Sequence, residues 1–410
     1  MKSPWSTRYS MNMQDYTGYA IGKLLALIED PEIISLAGGL PSPRMFLQSE
    51  LVEETQRCFS DRLERVMQYS TIRGEKDLIE AVIAFLRRDG IRVAPENVMI
   101  TTSAQQGLDL AGRLFLDPGD AVVLERPTFG GAIAAFQMQR PEFLGVELTD
   151  DGLDIDRLET LLKRRDGAQS LPKFIYVVPD FQNPSGVTMG LDRRRALLDL
   201  AERFDVPVVE DSPYRTLRYR GADIPSLFAL DQQRSGEHVI GIYTFSKLFC
   251  PGMRVGFTIG PPEVIERMTR IKEGGTLCTP KYNQDMCTAF LTRMDLDGYF
   301  ARCREYYGAK METLLEALTE QFPPHRGISW TRPEGGMFLW VSLPRTVDTR
   351  QFFHEALAFR VAFVPGEAFY AEGHEHHHMR VNFSFPSRKQ LGEAIRRLSD
   401  CLSARPSGEA

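Results

Sequence analysis

The stretch VIGIYTFSKLFCPGMRVGFTIG, residues 239–260, places two apolar runs on either side of a short polar segment. Both runs, VIGIYT and VGFTIG, are short and rich in β-branched or aromatic residues, which is typical of buried strands. Lys247 closely follows the first run, and Arg254 follows a Pro-Gly turn before the second. We therefore expect two strands of a sheet, with a lysine and an arginine held where the first strand ends.

The same alternation extends from about residue 96 to residue 260. The apolar runs are VMIT, AVVLE, FIYVV, VPVVE, VIGIYT and VGFTIG, and the helical patterns between them include AQQGLDLAGRLF, FGGAIAAF and RRRALLDLAERF. This alternation predicts an α/β fold with a mostly parallel, doubly wound sheet that helices cover on both faces. Ligands of such sheets bind beyond the carboxyl ends of the strands.

One of the predicted helices runs over residues 192–204. Apolar residues at helical spacing, among them Leu197, Leu200 and Phe204, predict a buried stripe. Asp192 is a candidate cap at the start of this helix. We expect the basic residues 193–195 to lie mostly in solvent.

After about residue 295 the pattern changes to that of a smaller α+β domain. The predicted elements are a long helix from Tyr299 to about Gln321, strands around Ile328–Trp330 and Gly336–Val341, and helices near Arg350–Ala358 and Arg388–Ser403. We expect three parts: an N-terminal segment (1–45) that joins the small domain, a large domain (46–295), and a small C-terminal domain (296–410).

Length and composition restrict the function. A chain of 410 residues exceeds what one hydrophobic core normally organises. A net charge of −6 disfavours nucleic-acid and anionic-membrane partners, since these require clustered cationic surfaces. The six cysteines show no CxxC spacing, no apolar run approaches the length of a membrane helix, and the N-terminus does not resemble a secretory signal. We therefore expect a cytoplasmic protein that acts on small molecules.

Polar residues follow several of the predicted strands. Ser103, Ala104 and Gln105 open the helix after VMITT, where the helix N-terminus favours anions, although a simple helix cap explains Ser103 equally well. Asn183 lies in a turn before Pro184, and turn chemistry alone could account for it.

Charged residues lie at two further strand ends. Asp211 follows VPVVE, with Tyr214 three residues later, and a buried carboxylate there is costly unless it is paired; the alternative is a helix cap. Burial of Lys247 would lower the pKa of its amine, and Arg254 suits phosphate, whereas the alternative is a surface lysine and a salt-bridged arginine. The cofactor pyridoxal phosphate requires all of these groups together: an anion for its ring nitrogen, a site for its phosphate, and an amine for its aldehyde.

Eleven motifs in order add a family resemblance. They are ISLAGGLPSPRMF, QYSTIRG, TTSAQQGLDL, PTFGG, QNPSG, EDSPY, TFSKLFCPGMRVG, KEGGTLCTPKYNQ, RPEGGMFLW, VPGEAF and MRVNFS. From about Ile33 to Ser384 the chain resembles the fold-type I pyridoxal-phosphate enzymes of the class I and II aminotransferases. It is especially similar to the branch that includes 2-aminoadipate and kynurenine aminotransferases.

The resemblance implies a role for each matching residue around the cofactor. Lys247 would bind the cofactor aldehyde covalently and carry the proton between substrate and cofactor. Asp211 would pair with the pyridinium nitrogen. Further expected contacts are Asn183 and Tyr214 to the phenolic oxygen, Phe129 stacked on the ring, and Ser103, Ala104, Gln105, Arg254 and either Thr244 or Ser246 to the phosphate.

The resemblance also implies substrate and subunit contacts. Arg380 would bind the α-carboxylate of the substrate, together with Asn183, and Gly39 would let the backbone approach the substrate, unless it is a plain turn glycine. Tyr69 would reach the cofactor phosphate of a second subunit. The expected assembly is a homodimer with shared active sites.

One segment departs from the branch. Members of the 2-aminoadipate aminotransferase branch carry Ser-x-Ile-Arg in an N-terminal helix, and the arginine of this motif binds the distal carboxylate of the substrate. Here the segment reads YAIGKLLAL, with Gly22 at the arginine position, and the adjacent Lys23 would point elsewhere on a helix. This departure favours a neutral or aromatic donor, with Tyr16, Tyr19 and Tyr282 near it.

The functional hypothesis is a ping-pong aminotransferase that moves an amino group from an amino acid to a 2-oxo acid. Alternatives are decarboxylation, β-elimination or oxidative deamination on the same fold. A ligand-sensing regulator is disfavoured, because only about 30 residues precede ISLAGGLP and the net charge is negative. The GHEHHH loop, residues 373–378, is not expected to bind a metal, because consecutive histidines on a loop do not all converge on one ion.

Overall fold

In a computed structural model, the described part of the chain forms one large sheet and two small ones. The structure describes residues 5, 7–14, 16, 18, 30, 32–168, 170–322, 327–373 and 375–405. The departing segment YAIGKLLAL, with Tyr19, Gly22 and Lys23, lies outside the described residues.

The described strands are β1 (Ile34–Ser35), β2 (Val98–Thr101), β3 (Ala121–Arg126), β4 (Glu142–Thr149), β5 (Gly152–Leu153), β6 (Ile175–Val177), β7 (Val208–Asp211), β8 (Val239–Thr244), β9 (Gly256–Ile259), β10 (Ser329–Trp330), β11 (Phe338–Ser342), β12 (Val361–Ala362), β13 (Val364–Pro365) and β14 (His378–Asn382).

The described α-helices are α1 (Met11–Gln14), α2 (Gln48–Asp61), α3 (Leu63–Val66), α4 (Lys76–Leu86), α5 (Ser103–Phe115), α6 (Gly130–Gln137), α7 (Ile155–Ala168), α8 (Leu191–Phe204), α9 (Leu227–Asp231), α10 (Phe245–Leu248), α11 (Pro262–Thr276), α12 (Lys281–Arg293), α13 (Leu296–Gln321), α14 (Thr349–Ala358) and α15 (Arg388–Ser403). None of these helices has both the length and the apolar character needed to cross a lipid bilayer.

The large sheet has the strand order β2-β9-β8-β7-β6-β3-β4-β5. Strands β3, β4, β6, β7 and β8 pair in parallel, whereas β9 is antiparallel to both β2 and β8, and β5 is antiparallel to β4. The predicted α/β fold with a mostly parallel sheet is confirmed. The sequence patterns did not predict β4, whose side chains are mostly only partly buried.

Helix α8 shows how the sequence sets a helix and where our expectation was wrong. Leu197, Leu200 and Phe204 are buried, as their spacing predicted. The residue at the N-cap is Gly190, and Asp192 lies inside the first turn without capping it. A helix of this length gains most of its stability from the buried stripe, so it does not depend on an ideal cap.

Arg194 is buried, although we expected the basic residues 193–195 to lie mostly in solvent. Its side chain is 0% exposed and forms an ion pair of 2.7 Å with Asp180. It also donates to the carbonyl oxygens of Pro179 and Met189 at 3.1 and 2.9 Å. Arg194 lies one turn before Leu197 on the buried face, and a buried guanidinium is tolerated there because its donors are paired.

The C-terminal part contains the antiparallel sheet β10-β11-β14-β13. The N-terminal strand β1 pairs in parallel with β12 of this part. Helix α13 contributes Tyr299 and Tyr307 to the hydrophobic core of the large sheet, and Met311 and Leu318 to a second core around β11 and β14. The division at residues 45 and 295 stays a prediction, which the pairing of β1 with β12 supports.

Replacing Arg194 tests the buried ion pair. Arg194→Met should lower the free energy of unfolding by about 3 kcal/mol, because it removes one partner of a buried pair. The loss should not be larger, since Arg215 still pairs with Asp180 at 3.1 Å. Chemical denaturation measures the change.

The neighbouring Arg195→Met is the matched control. Arg195 and Asp192 are both exposed, and their ion pair is long, at 3.7 Å. Its loss should change the free energy of unfolding by no more than about 0.5 kcal/mol. Equal effects of the two substitutions would contradict the role assigned to Arg194.

Candidate active site

The first group of site residues surrounds the N-terminus of α5. Thr102 is the N-cap residue and Ser103 is the first residue of the helix, so the interpretation of Ser103 as the cap is wrong. The guanidinium of Arg254 donates to Ser103 Oγ at 2.6 Å and to Ser246 Oγ at 3.3 Å. Thr244 donates to Ser246 Oγ at 2.9 Å. A helix N-terminus, an arginine and three hydroxyls therefore meet, as an anion requires.

Two backbone features show that this geometry is built against local preference. Ser103 and Arg254 both have left-handed backbone angles, with φ of 68° and 50°. Such angles cost about 1 kcal/mol each for residues with a Cβ, and they concentrate at functional sites. A Cβ on Gly256 would lie 2.8 Å from the backbone carbon of Ser103. Glycine at this position lets the start of α5 pack directly on β9.

The second group centres on Asp211, the last residue of β7. Asp211 is 2% exposed, and Tyr176 donates a hydrogen bond of 2.9 Å to its Oδ2. The other oxygen, Oδ1, is buried and has no hydrogen-bond partner among the described residues. Burial raises the pKa of Asp211 to about 7, against the hydrogen bond from Tyr176, which lowers it. No described helix begins at Asp211, so its interpretation as a helix cap is wrong.

Lys247 lies on the short helix α10, directly after β8. Its Nζ donates to the carbonyl oxygen of Gly39. Burial, together with the positive charges of Arg380 and Arg254, lowers the pKa of Lys247 to about 8. The amine therefore has a substantial neutral fraction near physiological pH, which a nucleophile requires.

The walls between these groups are aromatic or amide side chains. Phe129 precedes α6, and Gln105 donates to the carbonyl oxygen of Gly131 at 2.7 Å. A Cβ on Gly131 would lie 2.4 Å from the ring of Phe129, so glycine there leaves room for this ring. Tyr214 is buried edge-on against Phe338, with ring centroids 5.8 Å apart.

Arg380 lies on β14 and is 2% exposed. It donates to Asn183 Oδ1 at 2.8 Å and to the carbonyl oxygen of Ala37 at 2.7 Å. Its guanidinium also lies over the rings of Phe338 and Phe369, at 4.2 and 4.9 Å from their centroids. These contacts fix the plane of the guanidinium, which favours two-pronged recognition of a carboxylate.

Most of the predicted site residues line one cavity of about 260 Å³. They are Ser103, Ala104, Gln105, Phe129, Asn183, Asp211, Tyr214, Thr244, Ser246, Lys247 and Arg254. Leu40, Val178, Pro213 and Pro251 also line it, and the sequence patterns did not single them out.

Three predicted residues are not among the lining residues. Arg380 and Gly39 are bonded to residues that line the cavity, namely Asn183 and Lys247. Tyr69 is 76% exposed and does not line this cavity. Tyr282 shares a hydrogen bond of 2.9 Å with Thr55 and does not line the cavity, and its place near the donor stays a prediction. Sequence analysis also missed Tyr176, whose only signal was a polar-tipped ring inside the apolar run FIYVV.

The histidine-rich loop brings Glu375, His377 and His378 together. His378 contacts Glu375 through Nε2 and Ser342 through Nδ1, both at 2.9 Å. Arg126 also lies 3.6 Å from Glu375. The absence of a metal here stays a prediction.

The residues of the cavity fit pyridoxal phosphate. The partnerless Oδ1 of Asp211 can accept a hydrogen bond from a protonated ring nitrogen, and the N-terminus of α5 with Arg254 can hold a phosphate. Lys247 offers an amine to the aldehyde. All three line the same cavity.

Comparisons with known proteins agree with this chemistry. Residues 43–398 match the family model described as aminotransferase class I and II. The chain is 38% identical to aromatic-amino-acid aminotransferase 1 of Thermococcus litoralis, over 93% of this chain and 91% of that one. It is also 38% identical to the 2-aminoadipate transaminase of Thermus thermophilus, over 97% of both chains.

A solved structure is equally similar. It is a Pyrococcus horikoshii kynurenine aminotransferase in complex with PMP, with KYN as substrate and KYA as product. It superposes with a TM-score of 0.92 and 38% identity, over 98% of each chain. This chain therefore belongs to the class I and II aminotransferases, the pyridoxal-phosphate enzymes that move an amino group from an amino acid to a 2-oxo acid.

Proposed function

We propose that amino transfer takes place in the cavity between Lys247 and Asp211, by a ping-pong cycle in which amino donor and 2-oxo acid acceptor bind in turn. One observation carries this proposal: a buried carboxylate oxygen without a partner and a lysine with a lowered pKa line the same cavity. Bound there, pyridoxal phosphate supplies an aldehyde for the amino group and a ring that withdraws electrons from the α-carbon of the substrate.

The residues at the two ends of the cavity would hold the cofactor. Ser103, Ala104, Gln105, Thr244, Ser246 and Arg254 would hold the phosphate. At the opposite end, Asp211 would keep the ring nitrogen protonated. Phe129 would cover one face of the ring, and Asn183 and Tyr214 would donate to its phenolic oxygen.

Lys247 would move the proton at the substrate α-carbon. Its pKa near 8 leaves it able both to accept and to give up a proton at neutral pH. The carbonyl oxygen of Gly39 accepts a hydrogen bond from the amine and so fixes its position when it is not covalently bound. The expectation that Gly39 lets the backbone approach the substrate stays a prediction.

Arg380 and Asn183 would bind the α-carboxylate of the substrate. The donor side chain would be neutral or aromatic. Leu40 supports this, because it lines the cavity and is nearly half exposed. The printed name of the Thermococcus litoralis relative points the same way. Decarboxylation, β-elimination, oxidative deamination and ligand sensing receive no support from relatives that are named as aminotransferases.

We further propose a homodimer with shared active sites. Five large side chains between residues 52 and 69 are strongly exposed: Val52, Phe59, Leu63, Met67 and Tyr69. Several large, exposed apolar side chains within one short segment favour contact with another surface. A second copy would cover it and place its own Tyr69 at the phosphate.

A cytoplasmic location is the remaining part of the proposal. All six cysteines are unpaired thiols, and five of them are buried. Unpaired thiols in this number fit a reducing compartment.

Replacing Lys247 tests the proposed chemistry. The enzyme loaded with pyridoxal phosphate should convert aromatic amino donors to 2-oxo acids with 2-oxoglutarate or pyruvate as acceptor, whereas Lys247→Ala should lose at least about 10³-fold in kcat. Product formation is followed by chromatography. The control is Lys310→Ala, since Lys310 is also buried but donates to the carbonyl oxygen of Ser384 and does not line the cavity. Retained turnover in Lys247→Ala would remove the central claim.

Replacing Arg380 tests carboxylate binding. Arg380→Lys keeps the charge but loses the planar fork, so KM for the amino donor should rise about 30-fold while the affinity for pyridoxal phosphate changes little. Steady-state kinetics and a cofactor titration measure both quantities. Arg397→Lys, on the surface of α15, should match the unaltered enzyme. An unchanged KM in Arg380→Lys would assign the carboxylate to another residue.

Mixing two inactive variants tests the shared sites. A Tyr69→Ala subunit lacks the tyrosine that would reach the phosphate in the active site of the other subunit. A Lys247→Ala subunit lacks the amine of its own active site. After mixing and subunit exchange, a hybrid dimer has one complete site, so activity should recover to about a quarter of that of the unaltered enzyme. The mass in solution should be twice the chain mass of 46.5 kDa. No gain on mixing would contradict sharing, and a single chain mass would contradict the dimer.

A further inference from the structure

We propose that Tyr176 is a positioning residue of this enzyme: its hydroxyl binds Oδ2 of Asp211 and so turns Oδ1 of the same carboxylate toward the ring nitrogen of the cofactor. The inference rests on the proposed role of Asp211 at that nitrogen. It adds a residue that does not line the cavity and that no motif singled out.

The sheet itself brings the two side chains together. Strands β6 and β7 are parallel neighbours, and Tyr176 pairs with Val209 in their register. Asp211 lies two residues beyond Val209, so its side chain is on the same face of the sheet as that of Tyr176. A tyrosine is long enough to reach this diagonal neighbour, and the oxygen atoms are 2.9 Å apart.

The ring of Tyr176 has no room to move away. Tyr176 is 0% exposed, and its ring packs edge-on against Phe136 of α6, with centroids 5.6 Å apart. Phe136 in turn contacts Phe174 of the same apolar layer at 5.2 Å. Dense packing of this kind holds a side chain in one rotamer, so the hydroxyl stays aimed at Asp211.

The other acidic side chains near Asp211 are engaged elsewhere. Glu125 Oε2 accepts from the amide of Val178 at 3.2 Å and from Gln182 at 3.0 Å. The carboxylate of Glu210 accepts from the amides of Leu227 and Phe228, both at 2.9 Å. Neither group therefore competes for the hydroxyl of Tyr176.

The charges around the pair favour donation by Tyr176. Burial and the neighbouring carboxyl groups of Asp211 and Glu125 raise the pKa of Tyr176 well above its usual value, so the hydroxyl stays protonated. Burial, with Glu210 nearby, raises the pKa of Asp211, and the hydrogen bond from Tyr176 opposes this increase. Tyr214 also faces Tyr176, and Lys247 lines the cavity on the far side of Asp211.

Loss of the hydroxyl would have two consequences. The carboxylate would be free to rotate, since Oδ2 would lose its protein donor. Asp211 would also hold a proton up to higher pH, because its ionised form would lose a stabilising hydrogen bond. A protonated Asp211 is no counter-ion for a pyridinium nitrogen, so the cofactor would bind more weakly.

The experiment compares Tyr176→Phe with Tyr243→Phe. Tyr243 lies on the next strand, β8, is buried and stacks on Phe257 at 4.8 Å, and its hydroxyl has no hydrogen-bond partner among the described residues. Both substitutions remove one buried hydroxyl, but only the first touches Asp211. The dissociation constant of pyridoxal phosphate is measured from about pH 6 to about pH 9, together with kcat and KM for an amino donor.

A rise of about one unit in the pKa of Asp211 should make Tyr176→Phe bind the cofactor about fivefold more weakly than the unaltered enzyme at neutral pH, with a deficit that approaches about tenfold near pH 6. The deficit should grow as the pH falls, and kcat should decrease while KM for the donor stays the same. Tyr243→Phe should follow the unaltered enzyme in all three measurements.

Equal cofactor affinities and equal pH profiles for the two variants would overturn the inference. A double-mutant cycle with Asp211→Asn covers the case in which Tyr176→Phe is merely less stable: the effect of Tyr176→Phe on affinity should disappear in the Asp211→Asn background, and an unchanged effect would overturn the inference too. Failure of the unaltered enzyme to bind pyridoxal phosphate or to transfer amino groups would instead contradict the proposed function.

Discussion

The direction of the strands decides which side chains can meet. Strands β3, β6, β7 and β8 are parallel, so the residues that follow them emerge at one edge of the sheet. Strand β9 runs the other way, and its first residue, Gly256, therefore pairs with the last residues of β2 and β8, Thr101 and Thr244. Because β9 runs in this direction, Arg254 lies next to Ser103, at the N-terminus of α5. A parallel β9 would place Arg254 at the opposite edge.

Strand, helix and turn patterns were enough to predict the α/β fold and most of the cavity lining. The strong signals were local: apolar runs of strand length, and polar residues directly after them. Strand β4 was not predicted because most of its residues are partly buried or exposed, which leaves no continuous apolar run. The burial of Arg194 was not predicted, because only the tertiary fold brings its partner, Asp180, next to it.

The missed residues share one physical cause. Tyr176 contributes to the apolar layer through its ring and to the site through its hydroxyl, and a sequence pattern registers only the first property. Likewise, Ser103 was expected at the start of a helix, but its left-handed backbone angle was not, because serine has no local preference for that angle. Sequence patterns therefore predict least well the side chains that pack with one part and form a polar contact with another.

A dense ionic layer supports the turn that carries Asn183. Asp180 is buried and contacts both Arg194 and Arg215, and these arginines hold its pKa below the usual value even though burial alone would raise it. Two residues later, Gln182 donates to Glu125 and to the carbonyl oxygen of Pro127. The rigidity of the turn that carries Asn183 thus originates in groups that do not line the cavity.

Helix α13 has a consequence for how the chain can be divided. Its first half packs into the core of the large sheet, and its second half packs into the core around β11 and β14. A chain cut at residue 295 would leave the large sheet without Tyr299, Phe300, Cys303 and Tyr307, and would leave the same side chains bare on the other fragment. We therefore expect the two regions to unfold together, although they differ in architecture.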